Sequence, residues 1–324
     1  MQISAFLCND SVFLLCLQVR IVPVHFRSLQ EFTKIELVCL IERAIELKKK
    51  KIKGIIHQPL AGKTIGLFFE EPSPETRISF ESAIYGLGGQ VIFLSPLDIS
   101  LTGSDSLKNM SRVMCRYVDG MVVRTFRQDI VDELVVHSSV PVINAQTGIH
   151  HPCQILGDMM TVTERKGSIE NLHVSWIGDG NNMANSWIQA AARIDFSLTL
   201  ACPEGYDPDA EILAVSRSEA ARKITLVRDP EEAVCSADVI IVNVSPFMDR
   251  EKVNNERSAS FLPYRLNSAL LDKAQTDCIV LHCLPAYRDV EITDKVFESN
   301  QCAAFDQVEN STHIHRAVLE SFII

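Results

Sequence analysis

The feature that most constrains this chain is a regular exchange of short apolar runs with segments of helical spacing. "KTIGLFFE", "GGQVIFLSP", "DGMVVRTF" and "VPVINA" read as strands. Between them lie a helix from Pro74, with Phe80, Ala83, Ile84 and Leu87 on one face, and the helices "DSLKNMSRVMCRYV" and "QDIVDELVVHSS". A second series has the strands "HVSWIGDG", "SLTLACP", "ADVIIVNVSP" and "DCIVLHCLP", the helix "NSWIQAAARI" and a closing helix "THIHRAVLESF". Strands separated by helices at this interval imply parallel sheets with crossover connections. The predicted fold class is α/β: two domains, each with a parallel β-sheet flanked by helices. The long helix around "HHPCQILGDMMTVTERKGSIEN" joins them. Sites in such sheets form at strand C-termini, here in a cleft between the domains. Expected boundaries are an extension over 1–22, domains over 23–148 and 149–303, and a C-terminal helix over 304–324 returning to the first domain. Ahead of the first strand, "LQEFTKIELVCLIERAIELKKKK" has Ile35, Val38, Ile41 and Ile45 at helical spacing, ending in a lysine tail.

Composition narrows the partners. A formal net charge of −10 over 324 residues excludes nucleic acid and anionic membrane as main partners. "SVFLLCLQVRIVPV" is too short to span a bilayer and lacks the basic flank of a signal peptide. Ten cysteines without a C-x-x-C pair read as reduced, buried thiols of a cytoplasmic protein. His150 and His151 are not spaced as zinc ligands, so no metal is expected.

Several residues fall at predicted strand ends. In "FFEEPSPETRISFE", Ser73 suits an N-cap and Pro74 the first helical position. A helix start offers free N–H groups and a positive dipole end to an anion, and Thr76 and Arg77 add a hydroxyl and a charge. Glu75 also suits a plain helix that satisfies its own dipole. Arg124 is placed to clamp an oxyanion or to form a rim salt bridge. His151 and Gln154, three apart at a helix start, suit a carbonyl-bearing ligand or a cap. "IGDGNNMANS" opens a helix after a strand but lacks the glycine pattern of a nucleotide site. Cys283 precedes Leu284–Pro285, an X-Pro bond that can be cis.

Taken together, "HPCQILGD", "GDGNNMANS", "HCLPAYRDVEITDKVFES" and "FDQVEN" resemble the aspartate/ornithine carbamoyltransferase family, from about Val24 to the end of the chain. The resemblance implies transfer of a carbamoyl group from carbamoyl phosphate to ornithine or a related amine, with no cofactor or metal, in a homotrimer. It assigns 23–148 to carbamoyl phosphate and 149–303 to the amino acid. By position, Ser73, Thr76, Arg77, Arg124, His151 and Gln154 match carbamoyl-phosphate-binding residues. Asn182, Met248, Cys283 and Leu284 match ornithine contacts, and Arg124, His151 and Cys283 are the expected catalytic residues.

The chain departs from the family pattern in the same places. Pro74 and Glu75 stand for a Thr and the central Arg of the phosphate loop, and Gly103 for a basic residue. In "NVSPFMD" only Met248 is kept, with Asn243 in place of an Asp; Ser311 replaces an Arg. A lost charge-assisted contact costs roughly 1.5–3 kcal/mol. A carboxylate about 4 Å from a phosphate charge adds about 4 kcal/mol at an effective dielectric of about 20. With that repulsion halved for relaxation, the sum is roughly 4 kcal/mol, about a thousandfold in affinity. The expected function is carbamoyl transfer to ornithine, with another acceptor amine, or a catalytically impaired relative that binds or assembles, as the alternatives.

Overall fold

A computed structural model of the chain describes residues 25–95, 104–244 and 255–324. Readings that fall on 1–22, on Gly103 and on Ser245 to Asp249, Met248 among them, lie outside the described residues. The chain divides into two compact units, one running to Thr147 and including Thr312–Ile324, the other Gly148–Ser311.

The first unit holds β1 (Thr64–Phe69), β2 (Gln90–Leu94), β3 (Gly120–Arg124) and β4 (Val142–Gln146) in one sheet of order β2-β1-β3-β4. All pairings are parallel. Its helices are α1 (Lys34–Ile52), α2 (Pro74–Gly86), α3 (Ser104–Met114) and α4 (Gln128–His137). β1, β3 and β4 are buried on both faces and carry near-continuous apolar runs, as a helix-covered parallel sheet requires.

The first helix begins later than its apolar spacing predicts, and its inner face is shifted: of the expected residues Ile41 is buried and Val38 and Ile45 are half-buried. Leu29–Glu31 is a short 3-10 turn, and α1 starts after Thr33, whose side chain forms a capping box with Glu36. Its buried face is Leu37, Leu40, Ile41, Ala44 and Leu47, whereas Ile35 is 68% exposed.

The second unit contains β5 (His173–Gly178), β6 (Ser197–Ala201), β7 (Ile224–Val227), β8 (Val239–Asn243) and β9 (Ile279–Leu281). They form a parallel sheet of order β7-β6-β5-β8-β9. Its larger helices are α5 (Pro152–Lys166), α6 (Asn182–Arg193) and α7 (Ala210–Glu219). The shorter α8 (Pro230–Val234), α9 (Asn255–Phe261), α10 (Ser268–Leu271) and α11 (Asp294–Phe297) follow. The last helix, α12 (Ala304–Ile323), starts eight residues before Thr312, where the division between units falls.

Three glycine and strand details position later side chains. β3 and β4 lose register between Val123 and Arg124, which brings Arg124 opposite Gln146. Gly178 ends β5 with φ +147 and pairs with Asn243, and a Cβ there would lie 1.7 Å from the Asn243 carbonyl oxygen. Only glycine permits that approach. The Leu284–Pro285 bond is cis.

Candidate active site

In the first unit the candidate residues gather at the C-terminal ends of β1 and β3. Ser73 caps α2, with Pro74 at the first helical position. Its hydroxyl donates to Thr76 Oγ1 at 2.9 Å and accepts a long 3.4 Å bond from the Thr76 N–H. Arg124 reaches into the same turn: Nη1 donates to Thr76 Oγ1 at 3.3 Å and to Gln146 Oε1. Its Nε is buried and has no hydrogen-bond partner among the described residues. A guanidinium half held by neutral acceptors and left with an unused donor suits an oxyanion.

Burial pushes the Arg124 pKa down, while the fields of Glu71 and then Glu75 work against that shift. Glu71 is itself pushed up, by burial first, with Glu70 adding to it and Arg124 opposing it. Two carboxylates, not the one singled out in the sequence, thus act on the candidate anion clamp. Glu75 is exposed and makes no hydrogen bond or ion pair among the described residues. Arg77 is turned aside: Nε pairs with Glu81 at 2.8 Å, and the guanidinium lies 3.6 Å from the centre of the Phe93 ring.

In the second unit His151 is the N-cap of α5, and its backbone N–H donates to Ser186 Oγ at 2.8 Å. Ser186 in turn donates to the carbonyl of Asn182, the first residue of α6. Gln154 donates through Nε2 to Asp158 Oδ1 at 2.8 Å, and Gln307 Nε2 donates to the same oxygen at 2.7 Å. Burial pushes the fully enclosed Asp158 up to about 6, against the stabilising contacts of Gln307 and Gln154.

The end of β8 forms a second cluster. Asn243 donates through Nδ2 to Cys283 Sγ at 2.7 Å and accepts at Oδ1 from Asn181 Nδ2. Asn181 also caps α6 and donates to Asp179 Oδ1, whose other oxygen pairs with Arg257 at 2.7 Å. Burial, then the Asp158 charge, push the Cys283 thiol up to about 12. Cys283 is therefore a neutral thiol near pH 7, a hydrogen-bonding group and not a thiolate nucleophile. Leu284 follows, with its N–H bonded to the His282 carbonyl. Ser311 donates back to the Gln307 carbonyl at 2.8 Å and lies against Gly157 of α5.

The structure thus joins Ser73, Thr76 and Arg124 in one unit, and His151 with Asn182 through Ser186 in the other. Arg77, held by Glu81, shares no side-chain hydrogen-bond partner with Arg124 among the described residues and is not brought into that cluster. Sequence reasoning missed Gln146, Glu71, Asp158 and Gln307. The i, i+4 spacing of Gln154 and Asp158 is the one local signal among them. Of the eight cysteines among the described residues, Cys153, Cys202 and Cys278 are fully buried, whereas Cys235 is exposed, contrary to the expectation for a buried set. No group of three or more His, Cys, Asp or Glu side chains suited to a metal occurs among the described residues. Nor does a helix long and apolar enough to cross a membrane.

Comparison with known proteins places both units in one family. Residues 24–164 match the aspartate/ornithine carbamoyltransferase carbamoyl-P binding domain, and residues 170–322 the Asp/Orn binding domain. The ornithine carbamoyltransferase of Desulfotalea psychrophila is 59% identical over 301 residues, covering 93% of this chain and 99% of that relative. That of Geobacter sulfurreducens is 46% identical, covering 92% and 99%. Among solved structures, the ornithine carbamoyltransferase from Pyrococcus furiosus superposes with a TM-score of 0.89 at 37% identity, over 92% of this chain and 96% of that one.

Proposed function

The chain belongs to the aspartate/ornithine carbamoyltransferase family, and we infer that it is itself a carbamoyltransferase of the ornithine type. It transfers the carbamoyl group of carbamoyl phosphate to the δ-amine of ornithine, giving citrulline and phosphate. The observation that carries this reading is 59% identity to an ornithine carbamoyltransferase over nearly the full length of both chains.

The residue chemistry supports a role for each candidate. Ser73, Thr76 and the α2 N-terminus supply hydroxyl and backbone donors for the phosphate, with Arg124 as the fixed charge beside them. Arg77 serves the phosphate only after leaving Glu81. His151 and Gln154 take the carbamoyl end of the donor, and Asn182, Cys283 and Leu284 the amine. Met248 keeps its part in the ornithine loop. The amine attacks the carbamoyl carbon and a C–N bond forms. The C–O bond to phosphate breaks with its electron pair leaving on the phosphate oxygen, and the phosphate takes up the proton that the amine nitrogen loses. Rate enhancement then rests on positioning and on charge stabilisation at the leaving phosphate, without cofactor or metal.

Purified protein given ornithine and carbamoyl phosphate should form citrulline, unaffected by a chelator. Absence of citrulline at saturating substrates would reject the reading. The family resemblance also supports a cytoplasmic homotrimer, for which light scattering should give three times the 36.2 kDa chain mass.

A further inference from the structure

Gln154 faces a choice that its own chemistry does not settle. A glutamine amide presents an acceptor on one side and two donors on the other, and the two orientations have nearly the same shape. A carbamoyl NH2 needs the acceptor. In the second unit, a line of hydrogen bonds removes the choice. The backbone N–H of His282 can only donate, and it donates to Gln307 Oε1 at 2.8 Å. That fixes Gln307 with its Nε2 toward Asp158, where it donates to Oδ1 at 2.7 Å. Asp158 Oδ1 must therefore be an acceptor, with or without a proton on Oδ2. Gln154 meets that same oxygen at 2.8 Å and can meet it only with Nε2. Its Oε1 is left facing away from Asp158 and makes no hydrogen bond among the described residues.

The surroundings hold this arrangement in place. Asp158 is fully buried, and Gln307 is 1% exposed. Asp158 Oδ2 and the Trp187 indole nitrogen each have no hydrogen-bond partner among the described residues, although Trp187 helps to hold the Asp158 carboxyl down. The side chain of His282 is committed to Glu291 at 3.1 Å. A charge enclosed to this degree is costly, and Gln307 alone would be as well satisfied by a neutral acceptor. The line begins at the backbone beside Cys283 and ends at Gln154 Oε1.

We propose that Gln307 and Asp158 are positioning residues that fix the polarity of the Gln154 amide, so that Gln154 Oε1 is offered to the NH2 of the carbamoyl group. This rests on the carbamoyltransferase reading above. The site should then prefer a carbamoyl to an acetyl group, which has the same shape but a methyl in place of the NH2.

The test compares carbamoyl phosphate with acetyl phosphate by calorimetry and, as inhibitor or substrate, in the citrulline assay. Wild-type protein should favour carbamoyl phosphate by about tenfold or more, the worth of one well-made hydrogen bond. Asp158→Asn should keep that preference, because Gln307 still demands an acceptor from its neighbour. The double variant Asp158→Asn/Gln307→Glu has the same shape and net charge but reverses the line. The new carboxylate at position 307 accepts from the new amide at position 158. The NH2 of that amide then also donates to Gln154 Oε1, which turns the Gln154 NH2 outward. The preference should fall to near unity, with the affinity for inorganic phosphate and the KM for ornithine unchanged.

A double variant that keeps the wild-type preference overturns the proposal, and so does an Asp158→Asn variant that loses it. If the double variant does not fold, Asp158→Leu serves: it frees the Gln154 amide to take either orientation, so the preference should drop by about twofold. An undiminished preference in Asp158→Leu is equally fatal. A wild-type protein that binds neither phosphate and makes no citrulline fails at the functional reading instead, and takes the proposal with it.

Discussion

Arg124 is placed between acceptors that help it and carboxylates that compete for it. Thr76 and Gln146 hold one edge of its guanidinium and leave Nε unused. Glu71 and Glu75 supply the opposing fields, with Glu71 the larger. From residue identity alone, Glu75 is expected to repel the anion at an effective dielectric of about 20. The structure lowers that repulsion, because Glu75 is exposed and water screens it. Near the dielectric of water, one unit charge at about 4 Å is worth about 1 kcal/mol. Exchanging a negative for a positive charge there should gain about 2 kcal/mol. Glu75→Arg is therefore expected to tighten carbamoyl phosphate binding by about thirtyfold in calorimetry at low salt, and by less as salt is raised. An unchanged affinity would mean that the carboxylate stands clear of the anion. The charge at 75 was legible from the sequence. The charge at 71 was not, because its effect depends on how the β1–α2 loop turns back toward β3. Gln146 was equally hidden, since it meets Arg124 only through the register shift between β3 and β4.

At the scale of elements, the approach of β5 to β8 sets the second unit's site. Gly178 lets the Asn243 backbone come close enough for Asn243 to bond both Asn181 and Cys283. Gly178→Ala puts a Cβ 1.7 Å from the Asn243 carbonyl oxygen, at a φ of +147 that alanine resists. Backbone must move, and a loss of about 3 kcal/mol or more is expected. The thermal midpoint should fall by about 6–12 °C, and citrulline formation should fall with it as Asn243 is displaced. A midpoint indistinguishable from wild type would show that the strands can separate at no cost. Long, periodic elements such as α2 and α5, and the strands of both sheets other than β7, could be read from their apolar runs. The face of α1 could not, because apolar residues lie on both sides of its stripe and only packing decides which go inside. The capping box at Thr33 and Glu36 was readable and would have fixed its start. β7, α8, α10 and α11 are four or five residues long, too short for a period to show. The Gln307–Asp158 contact spans 149 positions and leaves no local trace.

At the scale of the whole molecule, titration sets the two units against each other. The first unit buries two histidines on α12. His315 is stacked on Phe80 with ring centres 3.7 Å apart, and its Nδ1 is 2.8 Å from Ser79 Oγ. Burial pushes its pKa down to about 3. His313 is also pushed down to about 3, by burial and then by Arg316, Lys51 and Lys48. Both are neutral in the fold and would charge near 6.5 in the unfolded chain. Below pH 6.5 the unfolded state binds more protons, so each histidine removes stability at about 1.4 kcal/mol per pH unit until about pH 3. Glu46 and Asp119 push the same way, whereas Glu42 and Glu71, raised chiefly by burial and by less than the imidazoles are lowered, push back. Burial also raises the Glu46 and Asp119 carboxyls, but Lys50 and Arg43 at Glu46, and the Thr64 N–H and Lys63 at Asp119, together outweigh it and hold them low. The second unit carries Asp158, raised by burial to about 6 against an unfolded value near 3.8. Its folded form takes up a proton first, so stability is regained as the pH falls from about 6 to about 3.8. Between about pH 6.5 and about pH 4.5 the two histidines together cost the first unit about 5 kcal/mol, whereas Asp158 returns about 2 kcal/mol to the second. Acid should therefore open the first unit before the second. Hydrogen exchange followed by mass spectrometry across that range should show protection lost in β1, β3 and β4 while β5 and β8 retain theirs. His315→Gln keeps a partner for Ser79 without a titrating ring, and should flatten the acid slope of the first unit by about half whatever it does to its stability at neutral pH. Simultaneous loss in both sheets, with the slope unchanged in the variant, would mean that the buried imidazoles do not govern the acid limb.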